Sequence, residues 1–242
     1  MENQWERTAL LLGDSAITQL HQKKVAVFGV GGVGSWCVEA LGRAGVGSLT
    51  LFDHDTVSLT NLNRQLVALH STLGQPKVSV MAARLRDINP DIEVVERQVF
   101  YTPENAATFD LGLFDCIVDA IDTITGKLTL IEHAVAADVP IISSMGTGNK
   151  LNPSAFVATD LADTDICPLA RVMRRELRRR GIEHLRVVYS TEAPMTPKNR
   201  SATAPGQPRR KDVPGSIAFV PSSAGLLIAS EVVRILLNDY NI

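Results

Sequence analysis

The residues best suited to chemistry begin with a glycine-rich loop at the end of a short apolar, β-branched run that contains Val25, Val27 and Val30. The loop reads G-x-G-G-x-G and contains Gly29, Gly31, Gly32 and Gly34. Glycine allows a tight turn and lets a backbone N–H approach a phosphate, because no Cβ stands in the way. A helix is predicted to begin at Ser35, and the N-terminal end of a helix favours an anion. The loop therefore predicts a phosphate-binding turn.

An acidic residue follows the glycine loop at the end of a second predicted strand, residues 49–52. Asp53 lies 19 residues after Gly34, where a carboxylate can bind a ribose hydroxyl. On its own, this pattern also fits a strand-to-helix turn that binds nothing, and its default nucleotide would be NAD. The residues that follow Asp53 favour a different nucleotide.

Polar and charged residues continue beyond Asp53, in a segment too polar for a plain crossover connection. They include Asp55, Asn61, Asn63 and Arg64. Further along come G-Q-P-K at 74–77 and V-D-A-I-D at 118–122. In this order, the motifs resemble those of the ThiF-type adenylating superfamily, which includes the ubiquitin-activating enzymes. The resemblance implies that the glycines, Asp53 and these polar residues surround ATP and Mg²⁺.

Three of the charged residues have specific expected tasks in catalysis. Arg64 and Lys77 would neutralise the phosphate charge that grows in an adenylation transition state. Asp122, at the carboxyl end of a predicted strand, is placed as a Mg²⁺ ligand. Each residue alone also has an ordinary interpretation: a surface ion pair, a solvated lysine in a first helical turn, and a helix N-cap. Their joint occurrence favours binding of nucleotide phosphates.

A fourth catalytic candidate, Arg7, stands before a helix predicted over residues 8–22. An exposed arginine near a terminus needs no function. In dimeric members of the resembled superfamily, however, an N-terminal arginine reaches into the ATP site of the partner subunit. The resemblance therefore implies a homodimer in which the planar fork of Arg7 grips phosphate oxygens.

The elements around these residues alternate between strands and helices. Apolar β-branched runs indicate buried parallel strands, and apolar residues at helical spacing indicate the helices between them. This order predicts an α/β fold with a doubly wound, mostly parallel, Rossmann-like sheet and right-handed crossovers. We expect one domain over 1–242, with a nucleotide-binding half at 1–150 and a substrate half at 151–242. The C-terminal strands and helices would extend the same domain.

The composition restricts the functional classes. The chain has 242 residues, 45% of them hydrophobic, which suffices for one full core. Cys37, Cys116 and Cys167 form no C-x-x-C pair, which argues against disulfides and against a zinc site. The N-terminal residues lack the basic start of a signal peptide, and the apolar stretch 217–237 contains charged residues. We therefore expect a cytoplasmic protein with no membrane span, in which this stretch forms a strand and then a helix.

The second half of the chain concentrates positive charge, although the formal net charge is −2. Arginines are dense between 171 and 180, and residues 193–215 are too rich in proline and charge to bury a core, which predicts a mobile loop. The candidate polyanion-binding residues are Arg171, Arg174, Arg175, Arg178, Arg179, Lys198, Arg209 and Arg210. A charge run is usually a solvated helix face, but two basic elements together favour a nucleic acid or another polyanion.

Within the superfamily, the chain is most similar to one branch, the tRNA threonylcarbamoyladenosine dehydratases, or TcdA-like proteins. The resemblance covers nearly the whole chain and is carried by residues 61–65, 69–71, 88–90, 118–122 and 167–177. It implies that ATP activates the carboxylate of a threonylcarbamoyladenosine beside the anticodon, and that dehydration then closes a ring. The basic residues would accordingly bind tRNA.

Several alternatives stay open at the level of sequence. Ring closure within the substrate needs no enzyme thiol, so Cys167 is the less favoured candidate for a thioester-forming nucleophile. The main alternative function is activation of a sulfur-carrier protein at its Gly-Gly C-terminus; many such enzymes carry C-x-x-C pairs that this chain lacks. An NAD-dependent dehydrogenase and a nucleotide-sensing module are further alternatives. The sequence does not decide whether a monovalent cation binds the 144–150 loop or whether a separate sulfurtransferase assists.

Overall fold

The computed structural model describes residues 4–199 and 213–238. Its strands are β1 (Lys24–Phe28), β2 (Ser48–Phe52), β3 (Glu93–Arg97), β4 (Cys116–Asp119), β5 (Ile141–Ser144), β6 (Phe156–Asp160) and β7 (Arg186–Ser190). Its α-helices are α1 (Glu6–Leu12), α2 (Asp14–Leu20), α3 (Gly34–Ala44), α4 (Lys77–Ile88), α5 (Pro103–Ala106), α6 (Ile124–Ala136), α7 (Pro168–Arg178) and α8 (Phe219–Leu237).

The strands form one seven-stranded sheet in the order β3-β2-β1-β4-β5-β7-β6. Neighbouring strands are parallel, except that β6 runs antiparallel to β7. Successive strands leave β1 in two directions, toward β2 and β3 on one side and toward β4 and β5 on the other. The prediction of an α/β fold with a doubly wound, mostly parallel sheet is confirmed.

This strand order creates a crevice at the carboxyl edge of the sheet. The loops that follow β1 and β4 diverge, because the chain crosses to opposite directions of the sheet after these two strands. The glycine loop follows β1, and Asp122 follows β4. The fold thus places two distant sequence motifs at the position where open α/β sheets bind their ligands.

Buried apolar side chains fill both faces of the sheet. On one face, α3, α4 and α8 contribute Leu41, Leu85 and Ile228 to a single cluster. On the other face, α6 and α7 contribute Leu130 and Met173. Both β1 and β4 are buried along almost their whole length, which explains why their sequences are continuously apolar instead of alternating.

The apolar stretch near the C-terminus forms α8, which has the length and composition of a membrane span. Its core-facing side chains are Val220, Ala224, Ile228, Val232 and Leu236. Gly225 lets α8 approach α3 closely, since a Cβ there would overlap the Val33 carbonyl oxygen. The helix is therefore part of the core, as expected. The strand predicted at the start of the stretch 217–237 is wrong, because α8 already begins at Phe219 and residues 217 and 218 form no strand.

The helix predicted over residues 8–22 is also different in the structure. It consists of two short helices, α1 and α2, separated at Gly13. Gly13 has a φ of 84°, a left-handed value that residues other than glycine rarely adopt. The break separates α1, which carries Arg7, from the rest of the domain, to which α2 is fixed by its buried Ile17 and Leu20.

Candidate active site

Two glycines of the glycine loop are required by the protein's own backbone. A Cβ on Gly29, whose φ is 93°, would lie 2.6 Å from the Ala120 carbonyl oxygen, and a Cβ on Gly34 would overlap the Gly29 carbonyl oxygen. Gly31 is different: the nearest described atom to its Cβ position is the Gln65 amide nitrogen, 3.8 Å away. Gly31 therefore leaves a space that the described residues do not fill, as close approach to a phosphate requires.

Asp53 holds the glycine loop in place. One of its carboxylate oxygens accepts a hydrogen bond from the Val30 N–H at 2.7 Å, and the other accepts one from the Asp55 N–H at 2.9 Å. The residue is 9% exposed, and each oxygen keeps a lone pair for a further donor. The expected contact with a ribose hydroxyl stays a prediction, to which the structure adds a role in bracing the loop.

Lys77 is buried at the start of α4 and is already paired. Its ammonium lies 2.7 Å from an Asp55 carboxylate oxygen, and its backbone N–H donates to the Asp55 carbonyl. The side chain is thus not the solvated first-turn lysine of the ordinary interpretation. Asp53, His54 and Asp55 also place ligand atoms within 4.8 Å of one another. Because Asp55 already faces an ammonium, this cluster is less suited to a metal than Asp122.

Arg64 lies beside the glycine loop without an acidic partner in the described part of the chain. Its Nη1 donates to the Thr60 carbonyl at 3.1 Å and to Asn63 Oδ1 at 2.8 Å. Its Cγ lies 3.6 Å from the Cβ position of Gly32. A guanidinium whose charge is not neutralised by an acid is well suited to bind phosphate oxygens.

Both predicted asparagines make structural hydrogen bonds. Asn61 is buried, and its side-chain oxygen accepts from the Ser58 N–H, which caps a short helical turn. Asn63 accepts from Arg64, and its amide donates to the Ser216 carbonyl at 2.9 Å. Asn63 thus orients Arg64 and ties it to the segment that leads into α8. Direct contact of either asparagine with ATP stays a prediction.

Gln65 is a candidate ligand residue that the sequence analysis did not single out. It is 8% exposed, and its Oε1 accepts no hydrogen bond from any residue that the structure describes. Its Nε2 faces the open side of Gly31. Leaving a buried acceptor without a donor is costly, so a donor on a bound nucleotide would satisfy it. Its position in the segment 61–65, which reads N-L-N-R-Q and carries part of the family resemblance, was the one available sequence signal.

Asp122 is exposed at the crevice, and its side chain has no partner within residues 4–199 and 213–238. It does not cap α6, because the N-cap residue is Thr123. An unpaired carboxylate at this edge suits a hard cation such as Mg²⁺. Close by, Asp119 is fully buried and pairs with Lys127 at 3.0 Å. This pair was not predictable from the sequence, since helical periodicity gives no sign that Lys127 is buried.

The predicted arginine stripe follows one face of α7 as far as Arg179, the residue directly after the helix, and borders a groove of about 490 Å³. Its residues are Arg171, Arg174, Arg175, Arg178 and Arg179. The opposite face of the helix buries Ala170, Met173 and Leu177 in the core. A single helix thus presents a continuous cationic surface, as an interface with a polyanion requires.

The guanidinium groups of the stripe differ in how strongly they are bound to other residues of the protein. Arg174 donates from Nη1 to the Leu161 carbonyl at 3.2 Å, and to both the hydroxyl and the carbonyl of Thr164. It therefore fastens α7 to the preceding turn. Arg175 and Arg179 are 63% and 67% exposed and share Glu176. Such exposed pairs are weak, so these two arginines stay available to phosphates.

The remaining predicted residues are at the surface or outside the described residues. Lys198 is exposed, whereas Arg209 and Arg210 lie outside the described ranges. Arg7 is exposed on α1, a helix that buries none of its side chains. Leu10 of the same helix is 82% exposed. The structure therefore brings Arg7 to no site within its own chain's described residues.

Cys167 is 2% exposed and stands as the N-cap of α7. Lys150, at the end of the 144–150 loop, is also buried, and desolvation lowers the pKa of its ammonium. The Lys150 ammonium donates to the Glu192 carbonyl. A thiol this inaccessible is poorly placed to accept an activated carboxylate from a macromolecule. The question of a monovalent cation at this loop stays open.

Similarity to known proteins agrees with this geometry. The model of the ThiF family matches residues 5–242. The tRNA threonylcarbamoyladenosine dehydratase of Bacillus subtilis (strain 168) is 44% identical over 249 residues, which cover 100% of this chain and 98% of the relative. The solved structure of E. coli tRNA N6-threonylcarbamoyladenosine dehydratase in complex with ATP has a TM-score of 0.85 and 33% identity, covering 97% of this chain and 94% of that chain.

A relative with a different function matches a smaller part. Molybdopterin-synthase adenylyltransferase of Escherichia coli (strain K12) is 38% identical, but over 130 residues that cover 51% of this chain and 49% of the relative. The likeness to the dehydratases, in contrast, includes the second half with its arginine stripe. The chain therefore belongs to the ThiF family, and within it to the tRNA threonylcarbamoyladenosine dehydratases.

Proposed function

We propose that this chain uses ATP to activate the carboxylate of threonylcarbamoyladenosine in tRNA and then closes that group into a ring with loss of water. The observation that carries the proposal is the pair of free charges at the crevice. Arg64 beside the glycine loop and Asp122 after β4 both lack a partner of opposite charge in the described part of the chain. Adenylation needs a cation for the phosphates and a carboxylate for the metal.

The nucleotide would lie over the glycine loop with its phosphates in the space at Gly31. Arg64 and Lys77 would stabilise the negative charge that develops as the bond to pyrophosphate breaks. Asp53 and Gln65 offer acceptors to hydroxyl or amino groups of the nucleotide. Asp122 would hold Mg²⁺, which neutralises phosphate charge when bound.

The proposed reaction consists of two steps, adenylation and ring closure. First, a carboxylate oxygen of the substrate attacks the α-phosphorus of ATP, the bond to the β-phosphate oxygen breaks, and pyrophosphate leaves. Second, a nucleophilic atom of the same modified nucleoside attacks the activated carbonyl and releases its proton to solvent, and AMP leaves with the former carboxylate oxygen. The substrate has then lost one water. No enzyme thiol takes part, which agrees with the burial of Cys167.

The tRNA would bind along the arginine stripe of α7, and Lys198, Arg209 and Arg210 would contribute further positive charge to this binding. Phosphate contacts of this kind position a nucleic acid without reading its sequence. The modified adenosine would reach the crevice, where the 144–150 loop leaves the end of β5.

The active form would be a homodimer. On α1, Leu10 and Leu11 are 82% and 85% exposed, and such apolar residues are typical of a surface covered by a partner. Arg7 on the same helix would then enter the ATP site of the partner subunit and bind phosphate oxygens.

Pyrophosphate release tests the proposed function. With ATP, Mg²⁺ and tRNA that carries threonylcarbamoyladenosine, we expect release in proportion to the modified tRNA. Matched tRNA without the threonylcarbamoyl group serves as the control and should give only background. Equal release with both tRNAs, or release driven by a peptide ending in Gly-Gly, would contradict the proposal.

A further inference from the structure

A buried charged cluster lies next to the loop of residues 120–123, here called the Asp122 loop. The Lys127 ammonium donates to Asp119 Oδ2 at 3.0 Å, to the Ser143 hydroxyl oxygen at 3.3 Å and to the Ser144 carbonyl at 2.7 Å. The Ser143 hydroxyl donates to the same Asp119 oxygen at 2.6 Å. Lys127 and Asp119 are 1% and 0% exposed. All three donors of the ammonium are therefore used within the protein.

The cluster joins the ends of two neighbouring strands. Asp119 ends β4, Ser144 ends β5, and Lys127 lies in the first turn of α6. The other Asp119 oxygen accepts the Ile121 N–H at 3.1 Å. One lysine thus fixes the start of the Asp122 loop against the end of β5, from which the 144–150 loop departs.

The Asp122 loop is closely packed on its other sides as well. A Cβ on Gly126 would lie 2.8 Å from the Thr123 hydroxyl oxygen. The Ala120 N–H donates to the Phe28 carbonyl at 2.8 Å, and the Ala120 carbonyl oxygen lies 2.6 Å from the position that a Cβ on Gly29 would occupy. The backbone is thus held at Ala120 and Ile121, and Asp122 follows these two residues directly.

A fully buried ion pair is an inefficient way to stabilise a fold, because desolvation offsets the attraction and an apolar pair of similar volume is often as stable. What a fully hydrogen-bonded cluster supplies is a fixed geometry. We infer that Lys127 is a positioning residue for adenylation: with Asp119 and Ser143, it fixes Asp122 relative to the end of β5. This inference rests on the proposed function.

The test compares a single with a double substitution. Lys127→Met leaves Asp119 buried and unpaired, so its Tm should fall. Adding Asp119→Asn removes both charges and should restore most of the Tm. Pyrophosphate release by the double variant should stay slower by about tenfold or more, since a misplaced group costs up to about 10² in rate. The ATP affinity of the double variant, measured by calorimetry, should stay within about threefold of that of the parent. A change of this size corresponds to the loss of no more than one weak hydrogen bond. A rate that recovers together with the Tm would overturn the inference.

A control variant separates positioning from stability. Glu231 is 4% exposed and pairs with Arg186. Arg186 is the first residue of β7 and therefore faces the amino ends of the parallel strands, away from the crevice at their carboxyl ends. Glu231→Gln should lower the Tm without slowing pyrophosphate release of the folded enzyme. If Glu231→Gln slows release as much as the double variant, Lys127 has no special role in positioning.

A milder variant decides the question if the double variant does not fold. Ser143→Ala keeps both charges and removes one hydrogen-bonding partner from each, so release should slow by roughly threefold, with a fall in Tm smaller than that of Lys127→Met. An unchanged rate would overturn the inference.

Hydrogen exchange gives a readout that needs no turnover. In Ser143→Ala, the Ile121 amide should exchange faster by about tenfold, because the Asp119 carboxylate that accepts it is less constrained. Glu231→Gln should leave this amide protected, and unchanged protection in Ser143→Ala would overturn the inference. A parent enzyme in which the Ile121 amide is protected, but which releases no pyrophosphate, would instead contradict the proposed function.

Discussion

The glycines of the loop after β1 serve different purposes, and single substitutions should separate them. Gly31→Ala should fold normally, because no described atom lies within 3.8 Å of its Cβ position. ATP affinity measured by calorimetry should nevertheless fall on the order of tenfold, the effect of losing one or two hydrogen bonds to phosphate. Gly34→Ala is the contrasting variant. Its Cβ would overlap the Gly29 carbonyl oxygen, so this substitution should lower the Tm. An unchanged ATP affinity in Gly31→Ala would refute this account of the loop.

Single residues also mark the limit of sequence-based prediction. The motifs predicted that Arg64, Lys77 and Asp122 belong to one site, because each motif has a known place relative to a strand end. The partners of these residues were not predictable in the same way. Spacing along the chain does not reveal that Lys77 faces Asp55, or that Gln65 has a buried acceptor without a donor. Such pairings depend on which loops meet across the sheet.

At the level of elements, α7 should supply the main electrostatic contact with tRNA. Replacing Arg171, Arg175, Arg178 and Arg179 with Gln should weaken tRNA binding and flatten its salt dependence, since each lost phosphate contact removes roughly 0.7–0.9 from the log–log slope. ATP affinity should hardly change. The measurement is tRNA binding at several salt concentrations, with circular dichroism to show that the helix persists.

Arg174 is the matched control for this experiment, because it fastens α7 to Leu161 and Thr164. Arg174→Gln should lower the Tm, whereas the slope of the salt dependence of tRNA binding should change little. If the variant with all four Arg→Gln substitutions keeps the salt slope of tRNA binding unchanged while the helix persists, the arginine face of α7 is only solvated and lies outside the tRNA interface.

Most elements were predictable because their signals are local. Buried parallel strands read as apolar runs, and α4 follows from apolar residues at helical spacing after Pro76. The two errors have different causes. The helix predicted over 8–22 breaks at Gly13, whose left-handed φ is a local feature that apolar spacing alone does not register. The strand predicted at the start of 217–237 is absent because α8 already begins at Phe219, and apolar residues at the start of a buried helix resemble those of a buried strand.

At the level of the whole molecule, a shared active site predicts complementation between subunits. Asp122→Ala should slow pyrophosphate release by on the order of 10²–10³, the usual cost of a charged group that acts in the transition state. Arg7→Ala should be similarly impaired. Mixing the two variants under conditions of subunit exchange should restore activity, because some dimers then contain one intact site. Sedimentation should show a dimer for each variant. If activity stays absent although mixed dimers form, Arg7 does not act across the interface.

We propose that the whole chain, with the ATP crevice in one half and the arginine stripe in the other, converts one nucleoside in tRNA. The most direct measurement is mass spectrometry of nucleosides from tRNA carrying threonylcarbamoyladenosine, incubated with the enzyme, ATP and Mg²⁺. We predict that threonylcarbamoyladenosine is replaced by a nucleoside lighter by one water, with one AMP formed per nucleoside converted. Omitting ATP, or using the Asp122→Ala variant, should leave the nucleoside unchanged. An unchanged nucleoside with the active parent enzyme, or conversion that proceeds without ATP, would contradict the account.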